Sequence, residues 1–398
     1  MMRSAALLAI AAAANLAAAQ SNLTLFGQDY AVTRLDYSEV RWADPLAPGI
    51  DINLIEVEGA HWLGNDRLLL SMDAGDSLLT IKNWVVEVQI NRDPAGAPVS
   101  LSYVRTVLAN DPFEPGYGGF DLSPCGLTLN TSASGLAANG NLLIGDSEAN
   151  RFVGYSTSTG SLLGAVSTPQ NPSYDDLAFV PTDGHVYTID EDGYKVAVFS
   201  TGGAFIRSFG IPGLTALSEF AVPGSPKGMT FLSDVPGVPA SIRRAGGSLL
   251  VALDDNNPGL QVFDLAGNVL ATEPLTDEPL FGGFSLLNQG PDCSRLLQLE
   301  AAAFDPDTGT IFLINEGFLT SCSGFFILVP NNPCPADFDG TGFVDSDDFV
   351  AFVQAFTLGC DGAGSPDPAC VKSADFDGTG FVDSDDFVTF VQAFSAGC

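Results

Sequence analysis

The chain has 398 residues, with 48 Asp and Glu against 15 Lys and Arg, and a formal net charge of −33. That balance argues against a nucleic-acid partner, because holding phosphates requires clustered Lys and Arg. Only two histidines, His61 and His185, are present, so no H-E-x-x-H zinc motif exists, and no apolar run is long enough to form a transmembrane segment.

Met1, Met2 and Arg3, the apolar run Ala5 to Ala14, and Ala17-Ala18-Ala19 before Gln20 follow the charge, apolar and small-residue order of a secretory signal peptide over residues 1–19. Cleavage is expected after Ala19, giving a secreted protein, extracellular or periplasmic. Seven cysteines behind such a segment point to disulfides. Cys293 and Cys322 are one expected pair, and Cys125 is the odd thiol, expected to be buried and free.

Residues 22–330 carry short β-type runs bounded by Gly, Pro, Asn and Asp, without an amphipathic helix of ordinary length, so the fold class here is all-β. Five imperfect repeats can be superposed. Each starts with a segment ending in a large apolar residue: Glu58 to Trp62 (EGAHW), Cys125 to Leu129 (CGLTL), Asp175 to Phe179 (DDLAF), Lys227 to Phe231 (KGMTF) and Glu300 to Phe304 (EAAAF). A second strand follows, reaching an acid at Asp73, Asp146, Asp190, Asp254 or Glu316, where a turn-capping role is expected. Third strands come next, then a fourth in the first four repeats only. Repetition at this period predicts a β-propeller of five or six blades. The last repeat runs out at Pro330, so a strand from Leu23–Tyr30 or Ala31–Tyr37 is expected to close the last blade and remove two sheet edges.

These blade motifs, with E-G-x-x-W leading into a strand and an acid, resemble the phytase-like, SMP-30-like and NHL-type six-bladed propellers. In SMP-30-like members a Glu in that context holds the catalytic divalent metal, and Glu58 is the matching position. The resemblance implies a metal-dependent esterase-like or phytase-like hydrolase as the alternative to a binding or structural domain; no catalytic residue or ester or small-molecule ligand is named by the sequence. In a propeller the first strands line the channel, so Glu58, Cys125, Asp175, Lys227 and Glu300 should ring one mouth. Glu58, Asp175 and Glu300 are candidate ligands for a further divalent cation or a cationic ligand, with neutralisation by Lys227 as the competing role.

Gly75-Asp76-Ser77-Leu78 matches a lipase signature, but neither histidine is placed to serve Ser77 as a base, and a hairpin turn is the expected role. His61 is expected to be a packed or hydrogen-bonded core residue. No G-x-G-x-x-G or phosphate-binding loop context appears.

After the linker 331–333, residues 334–398 hold ADFDGTGFVDSDDFVAFVQAF from Ala336 to Phe356, repeated from Ala374 to Phe394 with one change, Ala351 to Thr389. Asp337, Asp339, Thr341, Asp345 and Asp348, then Asp375, Asp377, Thr379, Asp383 and Asp386, fall at positions 1, 3, 5, 9 and 12 of a twelve-residue loop. Position 6 is Gly342 or Gly380, and position 7 offers the carbonyl of Phe343 or Phe381. A hard cation requires six to eight such oxygens, and an EF-hand-type loop delivers them at this spacing. Two calcium ions are therefore expected, bound more weakly than by cytosolic buffers, since Thr replaces an acid and Asp shortens the position-12 arm. Apolar residues Phe349, Phe352, Val353 and Phe356, with their repeats, recur at helical spacing, so the helices behind the two loops should pack together.

This tail resembles a dockerin, the paired loop-helix calcium module of secreted bacterial proteins. Its linker Gly359 to Ala369 is longer than usual, and Phe stands where dockerins show polar contacts. The resemblance implies a docking or anchoring role toward an extracellular protein or cell surface, without carrying cohesin binding over. Cys334, Cys360, Cys370 and Cys398 bracket the two copies. If the helices run antiparallel about a pseudo-two-fold axis, each trailing cysteine reaches the start of the other copy, predicting Cys334–Cys398 and Cys360–Cys370.

Overall fold

The computed structural model describes residues 21–35, 37, 40–43, 51–54, 57–72, 83–110 except 95, 124–146, 150–168, 174–190, 193–212, 226–253 except 236 and 240, 259–275, 299–315, 324–330, 336, 338, 344–357, 374, 376 and 382–396. Residues 1–19, all the cysteines' side chains, Asp73, Ser77, Asp254 and Glu316 lie outside that description.

Two N-terminal strands, β1 (Ser21–Leu25) and β2 (Gln28–Leu35), form a hairpin, and β3 (Arg41–Ala43) pairs with β4 (Asp51–Asn53). Four four-stranded antiparallel blades follow. The first holds β5 (Val57–Gly64), β6 (Arg67–Met72), β7 (Asn83–Arg92) and β8 (Pro98–Asn110). The second holds β9 (Pro124–Asn130), β10 (Asn141–Asp146), β11 (Arg151–Tyr155) and β12 (Leu162–Ser167). The third holds β13 (Tyr174–Val180), β14 (His185–Asp190), β15 (Lys195–Ser200) and β16 (Phe205–Gly210), and the fourth β17 (Pro226–Leu232), β18 (Ser248–Leu253), β19 (Gly259–Asp264) and β20 (Val269–Pro274).

The fifth blade joins the two ends of the domain. Its strands β21 (Leu299–Phe304), β22 (Ile311–Asn315) and β23 (Gly324–Pro330) accept β2 as the fourth strand, in register from Tyr30 opposite Pro330 to Leu35 opposite Phe325. Beyond it β1 lies outermost. The ring thus has five blades rather than six, and the N-terminal closure is as the sequence predicts. Tyr37 O–H donates to the Asn315 carbonyl at 2.7 Å and ties the closing segment to the blade.

Apolar cores fill each gap between neighbouring blades, for instance Leu127, Leu142 and Val153 against Leu69 and Val85, or Phe152 against Phe199. The middle strands are covered on both faces, which is why runs such as Leu68-Leu69-Leu70 are continuously apolar instead of alternating. Outer strands β12 and β16 have one face in solvent and alternate between covered and exposed residues. Five buried layers rather than one central core hold the ring together.

Two helices follow, α1 (Ser346–Thr357) and α2 (Ser384–Ala396). Phe352 and Phe390 are fully buried and stack face to face, with centroids 4.0 Å apart. Phe349 at the start of α1 meets Phe394 at the end of α2, and Phe356 at the end of α1 meets Phe387 at the start of α2, so the helices run antiparallel. The same 38-residue offset relates both contacts, and also relates the Phe338–Phe390 and Phe376–Phe352 contacts, giving the pair a pseudo-two-fold axis. No helix among the described residues is long and apolar enough to cross a membrane.

Candidate functional site

Strands β5, β9, β13, β17 and β21 are the innermost of their blades and neighbour one another around the axis, β21 returning to β5. Glu58, Cys125, Asp175, Lys227 and Glu300 are each the second residue of one of these strands. At that point every inner strand slips register against its partner: between Val57 and Gly59, opposite Gly145 and Asp146, between Tyr174 and Leu177, between Pro226 and Met229, and between Leu299 and Ala301. A register slip recurring in all five blades takes these residues out of the ladder.

The residue after each is constrained by space. A Cβ on Gly59 would lie 2.9 Å from Gly126 Cα, one on Gly126 2.5 Å from Asp176 Cα, and one on Gly228 3.0 Å from Ala301 Cα. The inner strands converge there, so Gly59, Gly126, Gly228 and Ala301 must be small. Asp176 is the exception. It is 1% exposed and its carboxylate spans two blades, accepting the Met229 N–H at 2.8 Å on Oδ2 and its neighbour Leu177 N–H at 2.7 Å on Oδ1. Sequence reasoning nominated Asp175 and passed over Asp176; the available signal was its being the one acid in a column of Gly and Ala.

Of the predicted ring, Lys227 Nζ and Glu300 Oε2 come within 3.9 Å, with Glu300 buried and Lys227 largely covered. Glu58 is half-buried on β5. The side chains of Cys125 and Asp175 lie outside the described residues.

At the other end of the same strands the axis opens into a cavity of about 410 Å³, bordered by all five blades. Its wall is largely apolar and includes Trp62, Phe179, Phe231 and Phe304. These are the residues that end four of the five repeat segments. One face of the Trp62 ring is covered by Phe312, with centroids 4.9 Å apart. Phe231 is seated against Gly247, where a Cβ would approach the ring to 2.3 Å.

His61 borders this cavity. Thr128 Oγ accepts the Phe179 N–H at 3.2 Å and lies 3.4 Å from His61 Nδ1. Thr128 is 2% exposed, and among the described residues Nδ1 is the acceptor within reach of its hydroxyl hydrogen, so a satisfied hydroxyl donates to Nδ1 and leaves the imidazole hydrogen on Nε2. Burial lowers the His61 pKa from 6.5 to about 4, because the charged ring loses its hydration. The unfolded chain therefore takes up a proton near pH 6.5 that the native state refuses until about pH 4. Stability should fall as pH drops through that window and be unaffected above it, by up to about 3 kcal/mol. Urea unfolding of the propeller at pH 7.5 and 4.5 checks this: the difference should shrink in His61→Phe, and an equal difference in both proteins refutes it.

The acids ending the second strands divide. Asp190 accepts the Gly193 N–H at 2.9 Å, the expected turn cap, and also lies 3.0 Å from Lys195 Nζ. Asp146 is fully buried and pairs with Arg151 across its hairpin at 2.6 Å. His185, the first residue of β14, lies 3.2 Å from Asp183.

In the tail, the position-12 carboxylates Asp348 and Asp386 are fully buried where the helices begin. Asp345 N–H donates to Asp348 Oδ2 at 2.8 Å, and Asp383 N–H to Asp386 Oδ2 at 2.7 Å. Asp345 and Asp383 in turn accept the N–H of Asp347 and Asp385. Both carboxylates of each copy thus accept N–H groups at the helix start, where intrahelical partners are lacking. Phe376 N–H donates to Asp386 Oδ1 at 2.6 Å, turning the second loop toward its helix. Asp337, Asp339, Thr341, Phe343, Asp375, Asp377, Thr379 and Phe381 lie outside the described residues.

No protein-family model matches the chain, and no curated protein matches it. Among solved structures it is similar to a streptogramin B lyase, at 10% identity over 75% of this chain and 98% of that one, TM-score 0.39. It is also similar to a luciferin-regenerating enzyme, at 13% identity over 79% and 92%, TM-score 0.36. An auxiliary nutrient binding protein from Bacteroides thetaiotaomicron is similar at 13% identity over 78% and 68%, TM-score 0.39. Likeness at this level carries no argument about activity, and the chain is a five-bladed β-propeller on the topology of its own sheets.

Proposed function

We propose that the protein is a secreted, calcium-binding protein in which the propeller is a binding or structural domain and the tail a calcium-dependent module that docks or anchors it to an extracellular partner. The observation that carries this reading is the burial of Asp348 and Asp386 at the start of two antiparallel helices. Each carboxylate accepts a backbone N–H at its helix start, and each has an acid three residues before it at the spacing of loop positions 9 and 12. Residues 331–398 hold twelve acids against Lys372 alone, a charge excess that a bound cation would offset. Phe349 and Phe387, whose rings are 6.3 Å apart and each 37% exposed, with Val350 and Val388 beside them, give the helix pair an uncovered apolar surface that suits docking. The antiparallel helices also support the Cys334–Cys398 and Cys360–Cys370 pairing.

The contact of Lys227 with Glu300 favours this reading over the metal-dependent hydrolase, since a base already faces one of the three acids that a propeller metal would need. Calorimetric titration of the full chain with calcium should saturate at two ions, with affinities in the range of about 10⁻⁴ to 10⁻³ M or tighter. Asp348→Ala and Asp386→Ala should each remove one site and spare the other, and Glu58→Gln should leave both. The absence of saturable heat, or a third ion lost in Glu58→Gln, would overturn the assignment.

A further inference from the structure

We infer that the axial cavity at the strand-end mouth is a binding site for a small, uncharged, planar molecule that presents a hydrogen-bond acceptor to His61. This rests on reading the propeller as the binding domain and is independent of calcium. The volume, about 410 Å³, lies within the span of roughly 300 to 1,000 Å³ typical of small-molecule sites. Flat aromatic walls select a flat ligand: Trp62 and Phe231 are partly exposed there, each held from behind, by Phe312 and by the Gly247 turn. Such pre-positioned rings lose little on binding.

Polar groups at the cavity choose the ligand's chemistry. The Thr128 hydroxyl fixes the His61 tautomer, so the ring offers Nε2–H, a neutral donor, over the physiological range. Ser233 Oγ, which also borders the cavity, is buried and has no hydrogen-bond partner among the described residues. A buried hydroxyl without a partner is costly, and a ligand oxygen reaching it would offset that. None of the described lining residues is Lys or Arg, while Asp307 stands exposed at the rim. An anion thus finds no counter-charge among the described lining residues, so a neutral ketone, ester or amide on an aromatic frame fits and a carboxylate does not.

The test uses the full calcium-loaded chain and the uncharged fluorophore 6-propionyl-2-(dimethylamino)naphthalene, displaced by unlabelled naphthalenes. Wild type should show saturable, blue-shifted emission at one site. 2-Acetylnaphthalene should displace it about five- to tenfold more effectively than 2-ethylnaphthalene, the worth of one hydrogen bond, and 2-naphthoate should displace it least. Thr230→Phe, which fills the cavity from β17, should abolish binding, whereas His61→Phe should remove the preference for the acetyl compound and retain 2-ethylnaphthalene. Absence of saturation in wild type, or unchanged binding in Thr230→Phe, overturns the site; equal displacement by the acetyl and ethyl compounds on wild type overturns the role of His61 even if His61→Phe fails to fold. Loss of calcium binding in the tail leaves these outcomes intact, so the two readings fail separately.

Discussion

Gly126→Ala is expected to destabilise the propeller by about 3 kcal/mol or more, at the upper end of what overpacking costs. The new methyl group would sit 2.5 Å from Asp176 Cα, 2.7 Å from Asp176 Oδ1 and 2.8 Å from Leu177 N, all on the next inner strand. Backbone is what blocks it, and that backbone is pinned because the Asp176 carboxylate accepts the Met229 N–H from the blade beyond. Relief therefore requires two inter-blade contacts to open together. Asp176→Ala tests the same junction from the other side: losing a carboxylate that accepts two buried N–H groups should cost about 3 kcal/mol. Gly210→Ala is the control, since nothing lies within 4 Å of its Cβ position, and should change stability by less than about 0.5 kcal/mol. Urea unfolding followed by tryptophan emission measures all three; wild-type stability in Gly126→Ala would mean that the inner strands do not converge as described.

Removing either stacked ring of the tail should be as damaging. Phe352 and Phe390 lie 4.0 Å apart and fully buried, and each also touches Phe338 and Phe376, so the four rings make one small core. Phe352→Ala or Phe390→Ala should cost about 3 to 5 kcal/mol, a large share of the stability available to a module of this size. The tail's unfolding transition should shift down steeply at saturating calcium, and apparent calcium affinity should fall at both loops, because the helices position both position-12 carboxylates. Val350→Ala and Val388→Ala, at residues about half exposed, should move the transition little. An unchanged calcium isotherm in Phe390→Ala would show that the loops bind independently of the helix pair.

Periodicity made most of the architecture readable. Five segments ending in a large apolar residue, five following apolar strands and a last repeat that lacks its fourth strand pointed to a ring closed by the N-terminal segment, and β2 lies beside β23 as that pattern requires. The pattern left the blade number between five and six, because uneven spacing between repeats does not fix how many sheets complete a circle. Helical spacing of Phe in the tail likewise implied that the copies pack, since neither helix can bury its apolar face alone.

What the sequence by itself determined is whatever repeats locally: strand against turn, helix against loop, and the spacing of the acids in the two repeated segments of the tail, each set by neighbours a few residues away. Only the tertiary structure decided contacts between blades, because Gly126, Asp176 and Met229, or His61, Thr128 and Phe179, are brought together by packing of separate sheets. The register slip in each inner strand belongs to the same class: it appears as an ordinary residue in the chain and as a break in the ladder only once a partner strand slips past it. So does the cavity, whose walls read in the sequence as five segment-ending apolar residues, four of them aromatic, and come together because the ring brings the five inner strands around one axis.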